Sequence, residues 1–120
     1  MLADTLALGT GGTLLTYGKK FGDAQLGASY TVVGLTPSAA ANLSIKHQRE
    51  KSGTVRTLID LSTNVPVAGS TTGAYTTRRV YLNIVRGVND TAADMKADLT
   101  RLKTIVDSTS LQDQILAEQV

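Results

Sequence analysis

Apolar and polar residues alternate through the first two-thirds of the chain, and the period lengthens to that of a helix in the last third. Thr5-Leu6-Ala7-Leu8 and Thr13-Leu14-Leu15-Thr16-Tyr17 flank Gly9-Thr10-Gly11-Gly12. Glycine reaches the positive φ of tight turns, so this cluster predicts an N-terminal β-hairpin over 1–18. The cluster lacks both the Lys-Ser/Thr of a phosphate loop and the third glycine of a dinucleotide fold, which leaves the turn as its role. Residues 18–27 read as a polar connection in which Lys19 and Lys20 are solvated turn residues. Ser29-Tyr30-Thr31-Val32-Val33 reads as a third strand, ended by Gly34 and Thr36-Pro37-Ser38.

Two longer strands follow. In Asn42–Gln48, Leu43, Ile45 and His47 share one face, while Asn42, Ser44, Lys46 and Gln48 share the other. After a turn at 50–53, Val55, Thr57, Ile59 and Leu61 alternate with Thr54, Arg56, Leu58 and Asp60. Residues 62–77 are small and polar, with Pro66, Gly69 and Gly73, and read as a long loop, a kind usually functional or mobile. The last strand runs over 78–86, with Arg79, Tyr81, Asn83 and Val85 opposite Val80, Leu82 and Ile84. An antiparallel sheet over 28–86 is therefore expected.

Met95, Leu99, Leu102 and Val106 then recur at helical spacing, with Asn89 or Asp90 placed to cap the N-terminus. Ser108-Thr109-Ser110 breaks the helix, and Ser110-Leu111-Gln112-Asp113 resembles a capping box for a second helix carrying Leu111, Ile115 and Leu116. The fold class is α+β in one domain of 120 residues, with a helical arm over 90–120. Each buried Leu or Ile stabilises by roughly 1.5–3 kcal/mol, so the helices are expected to lie on one face of the sheet and leave the other open.

The open face would carry Asn42, Ser44, Lys46, Gln48, Thr54, Arg56, Arg79, Tyr81 and Asn83. Cations there suit phosphates, amides and hydroxyls suit base edges, and the Tyr81 ring suits stacking. An ordinary solvated sheet face would show the same polar pattern. His47 falls on the other side, where a structural role or a subunit contact is expected.

Charge adds direction to this pattern. Residues 1–88 hold nine Lys/Arg against four Asp/Glu, and residues 89–120 hold three against six. A basic body followed by an acidic tail attracts a polyanion to the sheet. The chain has no Cys and one His, so thiol catalysis, disulfides and Cys/His zinc sites are excluded, and no catalytic residue, metal or cofactor is expected. No apolar run reaches the ~18 residues of a membrane span, and the first residues lack the basic start of a signal peptide. Neither a membrane nor a small-molecule substrate is expected as a partner.

A glycine-rich hairpin, strands, a long loop, Arg79-Val80-Tyr81-Leu82-Asn83 and two helices, in that order, resemble the coat proteins of single-stranded RNA bacteriophages, the levivirus group. The resemblance runs the length of the chain. It implies a homodimer with a continuous sheet, the helices of each subunit packed across its partner, and assembly into an icosahedral shell around genomic RNA. It also implies a loop at 62–77 that takes more than one conformation, binding of a replicase hairpin as translational repressor, and contact with a maturation protein.

Within that resemblance Tyr81 would stack on a loop base and Asn83 would hydrogen-bond to RNA. Lys46 and Arg56 would lie near phosphates, and Ser44 and Thr54 would line a base pocket. Asn42, where a hydroxyl residue is expected, Val85, where an acid is expected, and the missing tryptophan depart from the pattern. The implied location is the virion, assembled in the bacterial cytoplasm. The alternative is a dimeric β-sheet RNA-binding module that forms no shell.

Overall fold

The computed structural model describes residues 3–9, 14–23 and 26–117. The chain forms two compact units, Met1–Val85 and Arg86–Val120. Strands β1 (Thr5–Leu8), β2 (Leu15–Asp23), β3 (Gly27–Thr31), β4 (Ala41–Arg49), β5 (Val55–Pro66) and β6 (Tyr75–Arg86) form one six-stranded sheet in sequence order. The sheet is antiparallel, as each strand is joined to the next by a turn or short connection. Helices α1 (Ala92–Asp107) and α2 (Thr109–Leu116) complete the described chain.

The N-terminal hairpin pairs as expected, Leu8 opposite Leu15 and Thr5 opposite Gly18. Of the expected glycine turn, Gly9 is described and has a positive φ of 95°; residues 10–12 lie outside the described residues, as does the end of the expected arm at 118–120. The polar connection expected at 18–27 is mostly strand: β2 continues to Asp23, and a bulge lies between Lys19 and Phe21. Lys19 is thus no solvated turn residue. It pairs with Tyr30, its side chain is 15% exposed, and its ammonium lies 3.3 Å from Asp4.

The core occupies one face of the sheet. Tyr17, Ala28, Tyr30, Ala41 and Leu43 are buried, and Leu6, Leu8, Val32, Ile45, Ile59 and Leu61 pack around them. Cross-strand pairing explains the grouping, because Ala28 faces Ile45, Tyr30 faces Leu43, Leu43 faces Leu61 and Ile45 faces Ile59. Buried Tyr30 keeps its hydroxyl satisfied by donating to the Ala3 carbonyl at 2.7 Å. His47 lies on this face, with Nδ1 2.9 Å from the Thr57 hydroxyl.

The long loop expected at 62–77 is much shorter. β5 runs through Pro66 and β6 begins at Tyr75, leaving only 67–74 as connection. Pairing carries the two strands outward: Val67 N donates to the Ala74 carbonyl at 3.0 Å, and the Thr77 hydroxyl donates to Asn64 Oδ1 at 3.1 Å. Small polar side chains weaken a strand signal, but backbone ladders do not depend on them. Gly69 and Gly73, both at positive φ, turn the chain at the tip.

The helix caps also differ from expectation. Thr91, not Asn89 or Asp90, caps α1, its hydroxyl accepting from Asp94 N at 3.2 Å. Asp90 is used instead by the preceding turn, where its carboxylate accepts from Gly87 N at 2.8 Å. Ser108 both ends α1 and caps α2, accepting from Leu111 N, so the capping residue lies two positions before Ser110. No residue of either helix is buried.

Candidate nucleic-acid interface

The face opposite the core is set by the same register. Thr31 pairs with Asn42 and Asn42 with Ser62; Ser29 pairs with Ser44 and Ser44 with Asp60. Lys46 pairs with Leu58 and Gln48 with Arg56. Asn42, Ser44, Lys46, Gln48 and Arg56 therefore project from one side. Thr54 precedes β5 and is tied into the turn, its carbonyl accepting from Glu50 N at 2.9 Å and its hydroxyl from Ser52 at 3.3 Å.

β6 contributes from the neighbouring position. Asn83 lines a depression of about 350 Å³ together with Lys46, Gln48, Arg56 and Leu58. Arg79 reaches back to Asp60, Nε to Oδ1 3.3 Å. Alternation along β6 puts Tyr81, between these two, on the same side, and the residue is 67% exposed. The structure thus brings Asn42, Ser44, Lys46, Gln48, Arg56, Arg79, Tyr81 and Asn83 onto one face, and Thr54 to its end.

Electrostatically the cations differ from one another. Arg56 is held by Glu50 at 2.6 Å and Arg79 by Asp60 at 3.3 Å. Among the described residues no carboxylate lies within ion-pair distance of Lys46, which leaves its charge available to an incoming anion. Asp60 is the feature that sequence reasoning passed over. Its place on this face followed from the alternation, yet its effect on Arg79 needed the contact between strands. Asp60 Oδ1 is buried, and its contact with Arg79 lacks hydrogen-bond geometry.

Among the described residues no group of three or more His, Cys, Asp or Glu side chains comes together to hold a metal ion. No helix is long and apolar enough to cross a membrane. The arrangement offers cations, hydroxyls, amides and a ring on an open surface, which is the chemistry of binding.

The six-stranded antiparallel sheet followed by two helices is the fold of the RNA bacteriophage coat proteins. The virus-like particle of Beihai levi-like virus 21 superposes with a TM-score of 0.79 at 12% identity, over 100% of this chain and 98% of that one. The virus-like particle of bacteriophage AVE019 gives 0.72 at 12% identity, covering 96% and 94%. A bacteriophage coat protein described as an unassembled, RNA-binding dimer gives 0.64 at 16% identity, covering 97% and 94%. No protein-family profile matches the sequence, and no curated protein does either.

Proposed function

We propose that this chain is the capsid subunit of a single-stranded RNA bacteriophage, acting as a dimer whose open sheet face binds RNA inside an icosahedral shell. The observation that carries the reading is the gathering of Lys46, Arg56, Arg79, Tyr81 and Asn83 on the coreless face of a coat-protein fold. That face supplies charge for phosphates and a ring for an unpaired base.

Two features support self-association. β6 is last in the sheet order, so its outer edge meets no further strand among the described residues, and Val80 on it is 69% exposed. A twelve-residue open edge is a template for strand pairing, and a second copy of β6 would complete it. The helices carry exposed Leu102, Ile105, Val106, Leu111, Ile115 and Leu116, an apolar surface that the partner's sheet would cover. In this reading residues 1–120 act as one coat subunit. Binding of a specific replicase hairpin, and with it translational repression, is assigned to the same face.

Expression in a bacterium, followed by electron microscopy and extraction of nucleic acid, tests the proposal. Uniform closed particles containing RNA are expected. A stable dimer that binds RNA and never closes into shells would instead establish a free-standing RNA-binding module.

A further inference from the structure

We propose that Phe21 is a second stacking surface for an unpaired base on the open face. The proposal deepens the RNA-binding reading above and rests on it. Strict alternation along β2 would set Phe21 on the same side as Tyr17 and Lys19, beside the core. The bulge changes this. Lys19 pairs with Tyr30, whereas Phe21 pairs with Ser29, so the extra residue, Lys20, turns the ring to the other side. Ser29 continues the row to Ser44 and Asp60.

Phe21 is 60% exposed, and it is the chain's one phenylalanine. The core meanwhile uses Tyr17 and Tyr30, whose hydroxyls make them the more demanding rings to bury. Turning an aromatic outward forgoes burial that would stabilise the fold, and bulges that re-aim a side chain recur beside functional sites.

Phe21 lines a depression of about 320 Å³ with Leu26, Ser29, Ser44 and Lys46. Lys46 also borders the depression that holds Arg56 and Asn83. The two hollows therefore meet at Lys46, the cation with no carboxylate partner among the described residues. One ring to stack on, two hydroxyls for a base edge and one free ammonium for the adjoining phosphate suit a nucleotide of a single strand. A purine, with the larger π-face, is favoured.

Fluorescence anisotropy of the full chain with a short oligoadenylate, and with an abasic strand of equal length, tests this directly. Phe21→Leu should weaken oligoadenylate binding by roughly five- to a hundredfold and leave the abasic strand unaffected, whereas Lys46→Gln should weaken both. In the native protein, a strand carrying 5-iodouridine should photocrosslink at Phe21. Unchanged oligoadenylate affinity in Phe21→Leu, or equal loss on both strands, overturns the proposal while the RNA-binding reading stands. Lost particle yield with unchanged affinity also overturns it, and makes Phe21 a contact between copies. If the native protein binds neither strand, the RNA-binding reading falls and this proposal with it.

Discussion

Arg79 and Asp60 face each other across β6 and β5, Nε 3.3 Å from Oδ1, on the side of the sheet that carries Lys46 and Arg56. The carboxylate oxygen is buried, while the Arg79 side chain remains 59% exposed. Solvent screens the guanidinium side of the pair, so its contribution to stability is small, and its main effect is on the charge offered to a ligand. Asp60→Asn keeps the shape and releases the guanidinium. RNA affinity should rise several-fold, and the log–log salt dependence should steepen by about 0.7 if Arg79 gains a phosphate. A titration of anisotropy against salt measures both, and an unchanged slope would show that Arg79 does not reach the strand.

Lys46 is expected to behave in the opposite sense. With no carboxylate among the described residues to compensate it, Lys46→Gln should flatten the same salt dependence by about 0.7 on single strands. Identical slopes for the two proteins would remove Lys46 from the phosphate contacts.

Tyr81→Ala should weaken binding of a cognate hairpin by roughly 1–3 kcal/mol. The Tyr81 side chain projects from the face of β6, whereas strand pairing uses the backbone edge, so the dimer should persist. Size exclusion establishes the dimer and anisotropy the affinity. Full affinity in an intact dimer would mean that Tyr81 merely covers the sheet.

Gly27 is required by geometry. Its φ is +121°, and a Cβ built there would lie 1.8 Å from the Ile45 carbonyl oxygen. Backbone must move to admit any side chain, so Gly27→Ala should destabilise the protein by on the order of 3 kcal/mol, as lost denaturant midpoint. A midpoint within error of the native protein would refute the close approach.

Tyr17 predicts how stability responds to alkali. Burial raises its pKa above the ordinary 10.0, so the unfolded chain releases that proton first. Its contribution is fully present below pH 10 and is lost as pH rises through the raised value. The denaturant midpoint should fall above about pH 10, and Tyr17→Phe should reduce that fall. A slope unaffected by the substitution would exclude Tyr17 as its source.

Much of this molecule was legible in its sequence because alternation is a local property. Leu43, Ile45 and His47 against Asn42, Ser44, Lys46 and Gln48 divided as the register divides them. The Arg79–Asn83 segment likewise displayed its strand pattern. Elsewhere the controlling contact lay far along the chain. Little near residues 62–67 or 74–77 announces that they pair, since Ser62, Thr63, Asn64, Thr76 and Thr77 dilute the apolar signal of Val65, Val67 and Tyr75. Asp90 looked like a cap, but the Gly87 N–H had already engaged it. The partners of Arg56 and Arg79 were equally out of reach, because alternation assigns a face and not a distance.

The irregularity in β2 affects how related chains should be aligned. Pairing Lys20 with Ser29 and dropping the bulge would restore strict alternation and exchange the sides of Phe21, Gly22 and Asp23, with no change in composition. An alignment that ignores the bulge would therefore match an outward ring to an inward position. How the chain pairs at this point decides its surface chemistry, and comparisons of ligand preference across such chains should be made strand by strand.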